Sequence, residues 1–256
     1  MLSTIGAAEA GFHQMLSTHK QTWEELASTD PLWAILSDPA KKNGKWQLRD
    51  FFESGETEIS TALARVPDFP HEKHSALDFG CGVGRLTRAM SMRFNHCVGV
   101  DISEQMIKQA RELNSDRDNC EFVLNASEHL QMFPDTYFDF IYTSIVLQHL
   151  VHRSSILAYI REFCRLLKPG GLLIFQVPSY ISPIHRLQPL PRLYNLGRFL
   201  RISPSLLMRL HLHPIRMAYV PKENVMSLVT TYGMQLLASD NVTVGSIGSS
   251  TYWLSR

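Results

Sequence analysis

The sequence predicts an α/β protein built on a doubly wound, mostly parallel seven-stranded sheet that ends in an antiparallel hairpin. Three observations carry the prediction. Between His74 and Ser179, short apolar runs alternate with stretches at helical spacing, the pattern of strand–helix–strand units joined by right-handed crossovers. The first apolar run breaks into a glycine loop and resumes as a helix, "ALDFGCGVGRLTRAM". Two apolar runs close the chain with no helical stretch between them, as a hairpin does.

Residues 1 to about 60 read as helical, with Trp23, Leu26, Trp33, Ile35 and Leu36 among polar residues and the turn "SDPAKKNGKW" between them. This segment is acidic, with nine Asp or Glu against five Lys or Arg. "SALDFG" then reads as a buried strand and "GRLTRAMSMRF" as a helix. "HCVGVDIS" is a second strand, and "SEQMIKQARELN" a helix with its N-cap at Ser103. "CEFVLNA" is a third strand, and "FDFIYTSIVLQHL" starts as a fourth and turns into a loop or helix. "SSILAYIREFCRLLKPGG" is an amphipathic helix closed by Pro169-Gly170-Gly171, followed by the fifth strand "LLIFQVPS".

After Ser179 the texture breaks. The stretch to Pro221 is punctuated by proline and holds six arginines and no Asp or Glu. It is too long for a simple connection and reads as an inserted helical cap. "KENVMSLVTTYG" is a helix, and "MQLLASDNVTV" and "SSTYWLSR" are the closing strands. The expected organisation is an N-terminal helical cap (1–60), a core (61–178 and 221–256) and an inserted lid segment (179–220).

At 256 residues with 45% hydrophobic and 19% charged residues, the chain suits one α/β domain with extensions. A net charge of +1 weighs against a strongly electrostatic partner such as bulk nucleic acid. The four cysteines form no C-x-x-C pair and read as reduced thiols of a cytoplasmic protein. The start "MLSTIGAAEAGFHQM" lacks a basic residue followed by a long apolar stretch, so no signal peptide is expected. No apolar run approaches the ~20 residues of a membrane span.

The glycine loop has two readings. A dinucleotide fingerprint is G-x-G-x-x-G, its third glycine allowing helix and strand to approach. Counted from Gly80, Arg85 stands where that glycine belongs. The spacing is D-x-G-x-G-x-G, over Asp78, Gly80, Gly82 and Gly84. An acid before the loop repels phosphates and suits an ammonium group. Asp101, 21 residues after Gly80, can accept hydrogen bonds from both ribose hydroxyls of either a nicotinamide or an adenosyl ligand.

"LDFGCGVGR", "VGVDIS", "FPDTYFDFIYTSIVLQHL" and "LLKPGGLLIFQVPS", in that order, resemble the class I S-adenosylmethionine-dependent methyltransferases over residues 74–178. The resemblance implies a Rossmann-like fold with S-adenosylmethionine as cofactor. It implies that Asp78, Gly80, Gly82 and Gly84, with Cys81 in the same loop, line the methionine side. Asp101 would hold the ribose, and Ile102 and Met106 would pack on the adenine. Asn125, Ala126, Ser127 and Glu128 would border the adenine edge, and Ser144 would complete the set. Many members carry an Asp near Ala126; here Asn125 and Glu128 stand nearby. Arg85 would meet the cofactor carboxylate or form a salt bridge on the helix surface.

Methyl transfer is an in-line displacement in which positioning counts heavily, and a hydroxyl acceptor gains further from a general base. His149, just past the fourth strand, stands where such sheets keep their ligands. It reads either as base or substrate contact, or as a structural histidine bonded to the loop. His152 is expected to face solvent at the next helix. His211 and His213, with His185, lack acidic or cysteine partners, so no metal is expected. Trp23, Trp33, Trp46, Phe51 and Phe52 are candidates to close over the ligand, with Trp46 to Phe52 nearest the core in sequence.

Arg186, Arg192, Arg198, Arg201, Arg209 and Arg216 alternate with apolar residues. They read as a lid for an anionic or amphiphilic acceptor, as a surface touching acidic membrane, or as a solvated face that pairs with the acidic N-terminal segment. The expected activity is S-adenosylmethionine-dependent methylation of a small molecule at a hydroxyl oxygen. Methylation of RNA is the enzymatic alternative, opposed by the near-neutral charge and the lack of an N-P-P-Y-type motif. A non-catalytic cofactor-binding module is the alternative of another kind. The sequence leaves oligomeric state open.

Overall fold

The computed structural model describes residues 20–127, 129–150, 152–187, 189–210, 212 and 217–256. Helix α1 (20–29) and the short α2 (Pro31–Ile35) precede α3 (Leu48–Ala64). The sheet region then runs β1 (Ser75–Phe79), α4 (Arg85–Ser91), β2 (His96–Asp101), α5 (Glu104–Leu113), β3 (Cys120–Leu124), β4 (Phe138–Thr143), α6 (Arg153–Leu166) and β5 (Leu167–Ile181). Three short helices follow: α7 (Pro183–Arg186), α8 (Pro189–Phe199) and α9 (Pro204–Arg209). Helix α10 (Lys222–Thr231) and strands β6 (Gln235–Val244) and β7 (Ile247–Ser255) end the chain.

Seven strands form one sheet in the order β3-β2-β1-β4-β5-β7-β6. The first five are parallel, and β7 lies antiparallel between β5 and β6. This is the predicted class, hairpin included. Buried on both faces, the central strands read as near-continuous apolar runs. Strand alternation sorts them. Leu77 and Phe79 join Ile156, Ile160 and Phe163 of α6 and Val225 and Val229 of α10 in one cluster. Ala76, one residue out of phase, joins Ile59 of α3, Met90 of α4 and Trp253 of β7 on the other face.

Two boundaries differ from expectation. A division at residue 60 falls inside α3, whose Ile59 and Ala62 belong to the core packed on the sheet. Strand β5 starts at Leu167 and runs to Ile181, three residues past the predicted core edge at 178. Phe138 pairs with Leu167 and Phe140 with Leu172. Pro169-Gly170-Gly171 therefore lies within a bulge of the strand instead of after a helix end.

The chain leaves β1 for β2 and β3 on one side and reappears at β4 on the other. The reversal opens a crevice at the carboxyl ends of β1 and β4, where open α/β sheets bind their ligands.

Candidate active site

A cavity fills that crevice, about 840 Å³ when the open space at its mouth is counted. The floor is Phe79, Gly80 and Gly82 after β1, Val100, Asp101 and Ile102 at the end of β2, and Asn125 after β3. Ser144, Ile145, Val146, His149 and Leu150 after β4 form one wall, and Tyr159 and Met106 add to it. The roof comes from the N-terminal segment: Trp23, Ala34 and Ile35.

The glycine loop takes a backbone path, and a closeness to its neighbours, that only glycine allows. Gly80, Gly82 and Gly84 have φ of 78°, 53° and 85°, the left-handed region that glycine enters without penalty. A Cβ on Gly80 would lie 2.4 Å from a Val146 methyl, and one on Gly82 2.5 Å from Ile35 Cδ1. The loop is tied to β2, because Gly80 N and Cys81 N both donate to Val100 O at 2.7 and 3.0 Å.

Asp101 is the polar hub. One carboxylate oxygen accepts from Gly82 N and the other from Ser103 N, each at 2.9 Å. Burial pushes its carboxyl above the usual range, opposed by those backbone donors. A carboxylate offers about four lone-pair sites, so acceptor capacity remains for a vicinal diol. Ser103 caps α5 by accepting from Met106 N at 3.1 Å.

Asn125 borders the cavity but spends its side chain locally. Its Oδ1 accepts from Ser127 N and Oγ at 3.2 and 2.9 Å, while Tyr159 donates to Ser127 O at 2.5 Å. Ala126 and Ser127 lie behind this turn, off the lining; Glu128 lies outside the described residues.

Asp78, Cys81, Gly84 and Arg85 are likewise not on the cavity wall. Asp78 is 2% exposed and accepts from Thr87 Oγ1 at 2.7 Å. Burial raises its carboxyl to about 7 despite that bond. Cys81 is buried, and its thiol is pushed up by burial; the four cysteines are free thiols. Arg85 turns from the ligand side. It is 3% exposed, donates to Glu58 at 2.6 Å and Ser54 at 3.3 Å, and Tyr142 donates to the other Glu58 oxygen at 2.9 Å. The ion pair joins α4 to α3, with its arginine buried and Glu58 partly exposed.

His149 ends a 3-10 turn (Leu147–His149) and lines the cavity. Trp23 stands edge-on to its ring at 5.5 Å, and Gln148 Nε2 lies 3.2 Å from His149 Nε2. His152 is exposed at the α6 N-cap. His211, His213 and Arg216 lie outside the described residues, as does the His185 side chain. Among the described residues, no group of three His, Cys, Asp or Glu is placed to hold a metal ion.

The sequence reading missed the device that holds the roof. Glu24 accepts from Glu104 N at 2.6 Å, Gln105 N at 3.1 Å and Ser103 Oγ at 3.1 Å. It is thereby a second cap on α5, beside Ser103. Gln109 Nε2 adds a bond to Ala27 O at 3.1 Å. Trp23, not Trp46 to Phe52, thus reaches the ligand space. Phe51 is fully buried with Val83 and Met106, and Trp46 packs against that cluster.

Sheet order, glycine loop and cavity define the class I S-adenosylmethionine-dependent methyltransferase architecture. Residues 77–175 match the family described as Methyltransferase domain, and over that stretch the chain carries a domain of this class. It is 34% identical over 128 residues to a trans-aconitate 2-methyltransferase of Azoarcus sp., covering 49% of this chain and 47% of the relative. It is 35% identical over 129 residues to a ubiquinone/menaquinone biosynthesis C-methyltransferase of Vibrio cholerae, covering 48% and 46%. The chain thus spans about half the length of these curated relatives. Among solved structures, the magnesium protoporphyrin IX methyltransferase of Synechocystis PCC 6803, described with bound S-adenosylhomocysteine, superposes with a TM-score of 0.61 at 16% identity. That match covers 94% of this chain and 99% of the other. A methyltransferase of Leishmania major gives 0.63 at 12% identity, covering 94% and 83%. Likeness at these identities is a likeness of fold.

Proposed function

We propose that this chain transfers a methyl group from S-adenosylmethionine to a hydroxyl oxygen of a small-molecule acceptor. The observation that carries the reading is the cavity at the sheet reversal, with a carboxylate at one end and His149 in its wall. The residues suit the cofactor. Asp101 has free acceptor sites for a ribose diol, Ile102 and Met106 offer an apolar shelf for adenine, and Gly80 and Gly82 leave backbone where a side chain would obstruct. S-adenosylmethionine supplies an electrophilic methyl on its sulfonium.

The protein's own part is threefold. Asp101 and the glycine loop fix the donor's position, which lowers the entropic cost of an in-line displacement. Trp23, Ala34 and Ile35 cover the cavity and exclude water. His149 would accept the acceptor's hydroxyl proton, while the bound cofactor would supply the methyl group. General-base help of this kind contributes about 10²–10⁴-fold.

The test is an acceptor screen with methyl-labelled cofactor, followed by His149→Ala on the acceptor found. The variant is expected to lose at least about a hundredfold in kcat while S-adenosylhomocysteine affinity by calorimetry stays unchanged. Undiminished turnover removes the base from His149. A labelled methyl on carbon instead of oxygen overturns the assignment of acceptor atom. Binding of NAD in place of S-adenosylhomocysteine overturns the whole reading.

A further inference from the structure

The inserted helices α7–α9 leave an apolar surface uncovered. On α8, Pro191, Tyr194 and Gly197 face inward and are buried. Leu190, Leu193, Leu196 and Phe199, spaced three apart, face outward, and Phe199 is 83% exposed. Leu206 and Leu210, on and just after α9, extend the patch at 48% and 61%. Clusters of this kind mark interaction sites more than ordinary surface.

The charges around the patch have one sign. Arg186, Arg192, Arg198, Arg201 and Arg209 are exposed. Among the described residues none of them forms a salt bridge, and the stretch from Ser179 to Pro221 contains no Asp or Glu. The whole chain is only +1, so the rest of it is net acidic and the cationic charge is concentrated on this cap. No described carboxylate of the acidic N-terminal segment forms a salt bridge with these arginines: Glu24 bonds to α5, Glu58 to Arg85, Asp50 to Lys41 and Glu53 to Arg49.

We propose that α7–α9 is an interfacial element that docks this protein on an anionic lipid bilayer. Leucines and a phenylalanine flanked by arginines are the composition of helices that lie in the headgroup plane. The apolar side chains enter the acyl boundary, and the guanidinium groups, on long stems, stay with the lipid phosphates. The helices are far too short to span: no helix among the described residues is long and apolar enough to cross a membrane. A second copy of the chain fits less well, because a two-fold contact through this patch would set arginines against arginines. The cap also abuts the site, since Ala218 N donates to Gln148 O, next to His149, at 2.8 Å. Docking would therefore bring the cavity mouth to the lipid surface.

Vesicle co-sedimentation of the full chain tests this, using phosphatidylcholine alone and phosphatidylcholine mixed with phosphatidylglycerol, at low and high salt. The protein is expected to pellet with the mixed vesicles, weakly or not at all with the neutral ones, and less as salt rises. Each of Arg192→Gln, Arg198→Gln and Arg201→Gln should weaken partitioning about fivefold, and Leu193→Glu with Phe199→Glu should abolish it. Circular dichroism and S-adenosylhomocysteine calorimetry on every variant show that fold and cofactor site persist. Failure to pellet, equal binding to both vesicles, or concentration-dependent self-association that Phe199→Glu abolishes overturns the proposal. Loss of vesicle binding with S-adenosylhomocysteine binding intact refutes only this inference. Vesicle binding without S-adenosylhomocysteine binding refutes only the methyltransferase reading.

Discussion

Removing Glu24 should release the roof of the cavity without unfolding the sheet beneath it. In Glu24→Ala, three hydrogen bonds at the α5 N-terminus disappear, two of them from the backbone of Glu104 and Gln105. A bond to a charged acceptor is worth about 1.5–3 kcal/mol when desolvated. Here Glu24 is half-buried and Glu104 exposed, so water replaces much of what is lost. About 1 kcal/mol for each backbone bond remains a reasonable yield, including the helix-terminus charge effect. The total of about 2 kcal/mol corresponds to about a 30-fold shift in the docking of α1. Helix α5 itself survives, because Ser103 Oγ still caps Met106 N. Hydrogen exchange measures the shift: amides of residues 20–29 should exchange about 30-fold faster while those of β1 and β4 do not change. If the ligand-bound form requires the docked roof, S-adenosylhomocysteine affinity falls by up to the same factor. Unchanged exchange at residues 20–29 would show that Glu24 is not the latch. Tighter ligand binding would show that α1 obstructs the site.

Other variants separate ligand contacts from scaffolding. Arg85→Leu breaks the pair with Glu58 and should cost roughly 2 kcal/mol in denaturant unfolding, less than the ~3–5 of a fully buried pair because Glu58 reaches solvent. Its S-adenosylhomocysteine affinity should stay within about twofold; a large loss there would place Arg85 on the cofactor. Asp101→Asn replaces an acceptor facing Gly82 N by a donor or a weaker acceptor, and should weaken S-adenosylhomocysteine about 10–100-fold; unchanged affinity removes Asp101 from the ribose. Asp78 carries a pH signature. Its native carboxyl titrates at about 7 against 3.8 in the unfolded chain. Between those values the native state holds the extra proton, so this residue's contribution to stability declines as pH rises from about 4 to about 7, and is constant outside that window. Asp78→Asn, which can still accept from Thr87, should flatten that decline in thermal melts; identical slopes in the two proteins would refute it.

The same side chains show what the sequence disclosed and why it stopped. The seven strands, the Ser103 cap and the Asp101 position are written in local patterns: apolar runs, a serine before a helix, an acid at a strand end. Asp78 was legible too, through strand periodicity. Ala76 and Leu77 face opposite sides of the sheet, and Asp78 shares the side of Ala76, towards Thr87 on α4. The motif drew it toward the ligand while the alternation of β1 turned it into the core. The Pro169-Gly170-Gly171 run carries a breaker signal that the pairing of β5 with β4 absorbs as a bulge, a tertiary override that no local rule reads. Glu24 left no signal at all. Its partners lie 79 to 81 residues away, and a glutamate in an acidic segment reads as a solvated one.

The difference between these cases follows from how the site is built. The floor is made of strand ends and their adjoining loops, so its residues sit within a few positions of the pattern that forms each strand. The roof comes from α1 and α2, which reach the cavity by docking on α5 and packing beside Phe51 and Val83, and the neighbouring cap meets the site where Ala218 bonds to Gln148. The polar part of this docking is small, Glu24 and Gln109 for the roof, beside the apolar packing of Ala27, Leu32, Ala34 and Ile35 with Phe51, Val83 and Met106; α8 is held by one inward row, Pro191, Tyr194 and Gly197. Elements joined to the sheet by docking instead of by strand pairing are the ones that open at least cost, which a covered cavity needs if a cofactor is to enter and leave. The floor is thus built from backbone geometry that local sequence encodes, whereas the covering of the cavity depends on side chains whose contacts exist only once the chain has folded.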